Sequence, residues 1–259
     1  MSDLAAFAIS NAWIRPATDA RPDRQLLFGD RFTVRDTKDG WHYGQATKDG
    51  YLGCVRSGEL ASFPEMEESA FEFRYLSVRT SWGYEAPDMK SAPLVDLHMT
   101  SRLLVTGEQD GWLEFLFGER KAYVPAAHCA KTPKLFKRPS EAARKFLGVP
   151  YVWAGNTGFG LDCSGLVQVA LRACAQTCPA DSHEQAEMEG TALTEQEALA
   201  EGDLVFWKGH VALATDAKHI IHANAHHMMV VEEPAESAIA RISGTETGPV
   251  TKRLRPKPR

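Results

Sequence analysis

The fold of this chain is decided by residues 150–167, which read PYVWAGNTGFGLDCSGLV. An extended aromatic segment leads through a glycine-rich turn to Cys163, and the apolar pattern that follows is typical of a helix. Cys163 is therefore predicted at a helix N-terminus, where unpaired backbone N–H groups and the helix dipole favour negative charge. Such surroundings lower the pKa of a thiol and make its sulfur a nucleophile. We interpret Cys163 as the attacking atom of a hydrolase, and the alternative is a buried structural cysteine.

The composition narrows the classes of protein to consider. The 259 residues are 44% hydrophobic and 24% charged, which is ordinary for a globular protein. A net charge of -5 gives no reason to expect nucleic acid or an anionic membrane as partner. No apolar run approaches the roughly 20 residues that cross a bilayer. The N-terminus lacks the basic start and apolar core of a secretory signal, so we expect a cytoplasmic protein.

The cysteines and histidines do not form a recognisable disulfide framework or metal site. The five cysteines are Cys54, Cys129, Cys163, Cys174 and Cys178. This odd number predicts free thiols in a reducing compartment. The clustered histidines are His219, His222, His226 and His227. Their mixed spacings match no common zinc pattern, so we expect no metal and no other cofactor.

The first 130 residues contain a repeat. Three pairs of matching residues lie 71 positions apart: Arg31 and Arg102, Val34 and Val105, Trp41 and Trp112. Each copy has short alternating segments broken by turn signals such as Asp-Gly, which indicates hairpins. About five short strands suit a small closed or partly closed barrel. We predict one barrel over residues 1–66 and a second over residues 67–131.

From Ser140 the sequence period changes to that of helices, followed by strands. Ser140 is predicted to cap a helix that stops at Gly148. The remaining elements are predicted as helices at 164–175 and from 181 or 182, a short helical run within 193–201, and strands at 202–207, 210–214, 219–223 and 228–232. This order predicts an α+β domain over residues 132–248, with helices on one face of an antiparallel sheet. The prolines and basic residues of 249–259 predict that this segment is a solvated basic tail.

Two histidines are placed to assist the thiol. A thiol nucleophile needs a base that takes its proton and a third group that orients the imidazole. His210 and His222 are symmetric about a turn centred near residue 216, so we predict that they are directly opposite on neighbouring strands. A shift of register would substitute His226 or His227 for His222, and the residues alone leave that alternative open.

Four motifs together resemble those of the NlpC-type cell-wall peptidases. They are PYVWAG at 150–155, DCSGL at 162–166, GDLVFW at 202–207 and GHVAL at 209–213. The resemblance covers about residues 137–240 and implies a circularly rearranged papain-like fold. It assigns the catalytic Cys, His and third polar residue to Cys163, His210 and His222. The repeated Gly-Trp pairs of residues 8–130 resemble bacterial SH3-like domains. The predicted architecture is an NlpC-type papain-like catalytic domain preceded by two small all-β SH3-like barrels.

The resemblance also implies a substrate and the residues that bind it. Tyr151 falls on a family residue near the substrate carbonyl, and Ser182 on one near the glutamyl group. Asp162 and Ser164 match residues that bind the free amine of an N-terminal L-Ala. Ala180 stands where the family has an arginine. The implied reaction is hydrolysis of the γ-D-glutamyl bond to a diamino acid, typically meso-diaminopimelate, in peptides released from peptidoglycan during murein recycling.

Two other classes of function remain open at this stage. A related thiol enzyme would carry out acyl transfer or amidase chemistry on a different substrate. A non-catalytic protein of this fold would only bind peptidoglycan. The presence of all three of Cys163, His210 and His222 favours catalysis, since a homologue that has lost activity usually lacks the thiol.

Overall fold

The computed structural model describes residues 4–62 and 72–257. The chain divides into two compact units, Met1–Leu135 and Phe136–Arg259. The boundary that we predict between the two SH3-like copies, at residues 66 and 67, lies outside the described residues. Among the described residues, no helix is both long enough and apolar enough to cross a membrane.

The first copy of the repeat forms a five-stranded antiparallel sheet with the strand order β6-β5-β4-β1-β7. A two-stranded ribbon of β2 and β3 accompanies it. The strands are β1 (Leu4–Ala8), β2 (Trp13–Ile14), β3 (Arg24–Gln25), β4 (Arg31–Lys38), β5 (Trp41–Ala46), β6 (Leu52–Arg56) and β7 (Leu60–Ser62). A 3-10 turn, Ser57–Glu59, precedes β7. Buried residues such as Ile14, Leu26 and Phe32 form its core.

The second copy belongs to a seven-stranded antiparallel sheet with the order β10-β9-β13-β12-β11-β8-β14. Its strands are β8 (Glu72–Leu76), β9 (Thr80–Tyr84), β10 (Pro93–His98), β11 (Arg102–Gln109), β12 (Trp112–Phe117), β13 (Arg120–Pro125) and β14 (Cys129–Ala130). A 3-10 turn, Ala126–His128, precedes β14. Leu97, Leu103 and Phe115 are fully buried in its core.

The two copies repeat the same local distortions. The β4–β5 hairpin shifts register between Val34 and Asp36, and the β11–β12 hairpin does so between Val105 and Gly107, 71 residues later in each case. Both hairpins turn through an Asp-Gly pair with positive φ at both residues. This is the turn that the Asp-Gly signal predicts, because its twist matches that of the strands. The SH3-like prediction is confirmed as small sheets; within residues 4–62 and 72–130, the two outer strands of neither sheet pair to close a barrel.

The second unit places its long helix on a six-stranded antiparallel sheet of order β17-β22-β18-β19-β20-β21. Its helices are α1 (Pro139–Arg144), α2 (Cys163–Arg172), α3 (Ser182–Gln185) and α4 (Ala235–Ser243). Its strands are β15 (Asn156–Thr157), β16 (Gly160–Leu161), β17 (Gly190–Ala192), β18 (Leu204–Trp207), β19 (His210–Ala214), β20 (His219–Asn224), β21 (Met229–Pro234) and β22 (Lys252–Pro256). Helix α2 packs on β19 and β20, and the predicted α+β fold class is confirmed.

Helix α2 is the central element of this unit. Every residue from Cys163 to Leu171 is buried, as expected for a largely apolar helix that is covered on all sides. The backbone just before the β15–β16 ribbon lies so close to α2 that a Cβ on Gly165 would overlap the carbonyl oxygen of Gly155. Glycine at 165 therefore allows this backbone to approach the helix closely.

The solvated basic tail predicted at 249–259 is wrong for residues 252–256. They form β22, which pairs with β17 on one side and with β18 on the other. Leu254 is only 2% exposed, and Arg255 makes two hydrogen bonds to the buried carboxylate of Asp203, at 2.8 and 2.7 Å. The strand was not predicted because the basic residues on either side of Leu254 are typical of a solvated tail.

Three further details of the second unit differ from prediction. Ser140 is not the cap of α1: Arg138 is the N-cap and Pro139 is the first helical residue, a position for which proline is well suited because its N–H would be unpaired. The short helical run predicted within 193–201 is absent, and those residues form turns and irregular structure. Helix α4 was not predicted at all, and it supplies one side chain of the site described next.

Candidate active site

Cys163 is the first residue of α2 and is buried. The helix begins there because the Asp162 side chain caps it, with its Oδ1 accepting a 2.6 Å hydrogen bond from the Gly165 N–H. The Asp162 Oδ2 accepts a second hydrogen bond, at 3.0 Å, from the N–H of Ala154. Ala154 has a left-handed φ of 65°, so this bond helps to hold a backbone turn that is unfavourable for alanine. One carboxylate thus joins the turn to the start of α2.

His210 and His222 form a direct contact, although their strands pair differently from prediction. Nε2 of His210 lies 2.8 Å from Nδ1 of His222. Strands β19 and β20 pair Leu213 with Ile221 and Ala214 with Ile220, which centres the turn at 217 rather than 216. Continuing that register offsets the two histidines by two residues along the sheet. They remain on the same face, because side chains alternate with a period of two, and they meet as diagonal neighbours.

Two further residues, Glu233 and Arg241, extend this hydrogen-bonded network, and neither was predicted from the sequence. Nε2 of His222 lies 2.8 Å from Oε1 of Glu233 on β21. Arg241 on α4 donates to both oxygens of that carboxylate, each at 2.6 Å. Strand β21 places Val231 opposite His222, so Glu233 lies two residues further along the same face. The predicted strand 228–232 ends before Glu233, and Arg241 lies on the helix that was not predicted.

The electrostatics of the site keep both imidazoles neutral near pH 7. Burial lowers the pKa of His210 below its ordinary value of 6.5, and the nearby His222 and Arg241 act in the same direction. Burial also lowers the pKa of His222, although Glu233 opposes the shift. Burial acts to raise the pKa of Glu233, but hydrogen bonds from Arg241 and His222 outweigh it, so the pKa is lowered. Glu233 is therefore ionised.

The predicted substrate-binding residues surround the start of α2. Tyr151 bridges to Leu161 through its backbone, and its N–H donates to the carbonyl of Met228 at 2.8 Å. The Ser164 hydroxyl donates to Asp162 Oδ1 at 3.1 Å. Ser182 is the first residue of α3.

Gln185 connects α3 to helix α2. Its Nε2 donates to the carbonyls of Ser164 and Pro179, each at 3.0 Å, and the side chain is fully buried. This link brings Ser182 to the side of α2. Ala180, at the position of the family arginine, is buried and presents no side chain to a substrate. Within the described residues, His, Cys, Asp and Glu side chains form no group of three or more that could hold a metal ion.

Comparisons with known proteins identify the family of the chain and its SH3-like domain. The model of the NlpC/P60 family matches residues 148–243, and that of the bacterial dipeptidyl-peptidase Sh3 domain matches residues 14–60. A gamma-D-glutamyl-L-lysine dipeptidyl-peptidase from Bacillus subtilis is 37% identical over 80% of this chain and 73% of that protein. A protein of the same name from Bacillus cereus is 30% identical over 78% of this chain and 67% of that protein.

The chain belongs to the NlpC/P60 family. It is a hydrolase, a peptidase of this cell-wall family, and the resemblance to NlpC-type peptidases with SH3-like domains is confirmed. The crystal structure of an NlpC/P60 family protein from Bacillus cereus has a TM-score of 0.79 to this chain, with 21% identity, covering 97% of this chain and 99% of that one. That likeness confirms the fold.

Membership of the NlpC/P60 family does not by itself assign the seven predicted site residues. The structure joins His210 to His222 and ties Asp162 and Ser164 together beside Cys163. Helix α2, which begins at Cys163, packs on the two strands that carry the histidines.

Proposed function

We propose that this NlpC/P60 protein is a cysteine endopeptidase that hydrolyses the γ-D-glutamyl bond to a diamino acid in peptides derived from peptidoglycan. The two Bacillus relatives are named for the γ-D-glutamyl-L-lysine bond. The proposed substrate is a peptide of the form L-Ala-γ-D-Glu-diamino acid, with meso-diaminopimelate or L-lysine as the diamino acid. We further propose that the enzyme acts in the cytoplasm, where it recycles released peptides.

One observation carries the proposed mechanism: a thiol begins the buried helix α2, and this helix packs on the two strands that carry a hydrogen-bonded pair of neutral imidazoles. A neutral imidazole accepts a thiol proton, and a helix N-terminus stabilises the resulting thiolate. We assign Cys163 as the nucleophile, His210 as the base and then acid, and His222 as the residue that orients His210.

The reaction follows in two balanced steps. The Cys163 thiol gives its proton to His210, and the sulfur attacks the carbonyl carbon of the γ-glutamyl amide. The C–N bond then breaks as the amine of the diamino acid takes that proton, leaving a thioester on Cys163. Water attacks the thioester and gives a proton to His210. The C–S bond breaks, the proton returns to sulfur, and the peptide leaves with a free γ-carboxylate.

The residues around Cys163 suit a substrate with a free amine. Asp162 is a buried carboxylate beside the nucleophile, and an ammonium group is its natural counter-charge. Ser164 donates to that carboxylate and helps to orient it. We assign these two residues to the N-terminal amine, Tyr151 to the reacting carbonyl and Ser182 to the glutamyl group. Recognition of the amine selects the bond that lies a fixed distance from a free N-terminus.

Incubation with four peptides tests this function. They are L-Ala-γ-D-Glu-L-Lys, the corresponding meso-diaminopimelate peptide and the N-acetylated form of each, with products read by mass spectrometry. We expect release of L-Ala-D-Glu from the free-amine peptides only, and none with Cys163→Ala. Equal cleavage of the acetylated forms would contradict the roles of Asp162 and Ser164. A failure to cleave any of the four would overturn the proposed function. Fractionation of the producing cells tests the proposed location.

A further inference from the structure

We propose that Glu233 and Arg241 form a positioning pair that fixes the tautomers of His222 and His210, so that the basic nitrogen of His210 is Nδ1. The inference rests on the proposed function, since it takes His210 as the base for Cys163. Neither Glu233 nor Arg241 belongs to the predicted catalytic set. They act through His222, and their effect on the reaction is indirect.

His222 has a polar partner on each side. Its Nδ1 faces Nε2 of His210 and its Nε2 faces Oε1 of Glu233, both at 2.8 Å. The side chain is 0% exposed, so bulk water does not reach either nitrogen. The protonation of His222 therefore has to match these two neighbours, because an unmatched buried nitrogen would lose a hydrogen bond.

Glu233 decides which nitrogen of His222 carries the hydrogen. Arg241 donates one N–H to each oxygen of the Glu233 carboxylate, at 2.6 Å, in the two-pronged geometry that is strong for this pair. An ionised carboxylate accepts hydrogen bonds and donates none. The 2.8 Å contact to His222 is therefore a hydrogen bond in which the Nε2–H of His222 donates to Glu233.

The tautomer of His210 follows from that of His222. A neutral imidazole has one N–H, so Nδ1 of His222 is left as an acceptor. The 2.8 Å contact between the two rings is then a hydrogen bond from the Nε2–H of His210. Neutral His210 consequently holds its lone pair on Nδ1. In the opposite tautomer, Nδ1 of His210 would carry a hydrogen and could not take the thiol proton. The direction of the hydrogen bonds between Glu233, His222 and His210 therefore affects the reaction.

The chain offers a matched control on the same strand. Glu232 is the residue before Glu233 and is also paired with an arginine, Arg144, at 2.9 and 2.6 Å. It accepts a further hydrogen bond from Thr215 rather than from an imidazole. Glu233→Gln and Glu232→Gln thus remove the same charge from neighbouring positions, and only the first touches the histidines.

Nitrogen NMR of the full-length wild-type protein, labelled with ¹⁵N-histidine, is the first test. We expect both His210 and His222 to be protonated at Nε2 near pH 7. A hydrogen on Nδ1 of His222 would overturn the proposal. This measurement needs no substitution and no substrate. It therefore remains decisive if a variant fails to fold, or if the enzyme proves to act on a different bond.

The two substitutions provide the second test. A glutamine at 233 can turn its amide N–H₂ toward Nε2 of His222, so we expect Glu233→Gln to mix the tautomers of both histidines. We expect kcat to fall by roughly 10- to 100-fold, the range seen when the hydrogen-bond partner of a metal-ligating histidine is lost, with KM changed less than about twofold because Glu233 does not touch the substrate. Glu232→Gln should alter neither the tautomers nor kcat. Equal effects of the two variants, or an unchanged tautomer in Glu233→Gln, would refute the positioning role.

Discussion

Asp162 Oδ2 accepts a 3.0 Å hydrogen bond from the N–H of Ala154, and this contact joins the glycine-rich turn to the start of helix α2. The other oxygen of Asp162 receives the Gly165 N–H and the Ser164 hydroxyl. One buried carboxylate thus serves donors on both of its oxygens. A side chain with one acceptor oxygen and one donor nitrogen cannot do the same.

Asp162→Asn should therefore destabilise the second unit, although asparagine is as good an N-cap as aspartate. Its amide nitrogen would face either the Ala154 N–H or the donors of Gly165 and Ser164. We expect a loss of about 1–3 kcal/mol in the free energy of unfolding, the cost of leaving a buried hydrogen-bonding group unmatched. Urea unfolding followed by the NMR signals of α2 would measure it. Asp181→Asn, at the cap of α3, should have a much smaller effect.

Cys163 should react differently from the other thiols. Burial raises the pKa of Cys129 to about 12, so that thiol stays protonated at pH 7 and reacts slowly. We expect iodoacetamide to modify Cys163 at least about tenfold faster than Cys129, as followed by peptide mapping. Cys163→Ala should abolish peptide hydrolysis while leaving the thermal midpoint nearly unchanged, and Cys129→Ala should keep full activity. Activity that survives in Cys163→Ala would contradict the proposed nucleophile.

The second unit should lose stability as the pH falls below about 6.5. Burial lowers the pKa of His210 and of His222 in the folded state, so the unfolded chain binds more protons than the folded one in that window. The stability is present above the unfolded pKa and is lost on acidification, by at most about 1.4 kcal/mol per pH unit for each histidine that stays neutral.

Urea unfolding between pH 7 and pH 5, followed by the amide NMR signals of β19 and β20, measures this dependence. His210→Gln removes one of the two groups and should reduce the slope of stability against pH. The same slope in the variant and in the wild type would show that His210 does not contribute. Below pH 4.5 Glu233 adds to the loss, because its folded pKa is also lowered, and its protonation would break the pairing with Arg241.

Arg241→Gln should shift the acid limb of kcat/KM toward higher pH. The positive charge of Arg241 opposes protonation of both His210 and His222, while Glu233 favours protonation of both and His227 opposes it at His222. Without the arginine, the histidines protonate at higher pH and the base is lost earlier on acidification. Arg144→Gln removes a guanidinium bound to Glu232 and should leave the profile in place. An unshifted limb in Arg241→Gln would contradict this electrostatic role.

Leu254→Ala should destabilise the second unit although the residue lies in a strongly basic segment. Leu254 is opposite Leu204 on β18 and is almost fully buried. Removing a buried leucine side chain costs about 2–5 kcal/mol. Lys257→Ala, at an exposed position just after β22, should change stability little. Chemical denaturation of the two variants would compare them, and similar midpoints would show that β22 does not contribute to the folded unit.

The sequence by itself determined the family, the fold class and the identity of the candidate catalytic residues. Cys163 was predicted from local signals, because a turn followed by an apolar helical pattern is specified by neighbouring residues. The repeated Asp-Gly turns were also predicted from local sequence, since the left-handed backbone of such a turn favours those residue types. The contact between His210 and His222 was predicted from their symmetric positions about a turn. The structure centres that turn one residue later, and the two side chains still lie on the same face of the sheet.

Only the tertiary structure decided what holds those residues in place. Arg241 reaches Glu233 from a helix that was not predicted, and Glu233 reaches His222 through the pairing of β20 with β21. Strand β22 joined the sheet because its two neighbours bury Leu254, although its charge indicated a tail. The two oxygens of Asp162 were divided between partners that lie before and after it in the chain. These features depend on contacts between distant segments, and local residue preferences do not encode such contacts.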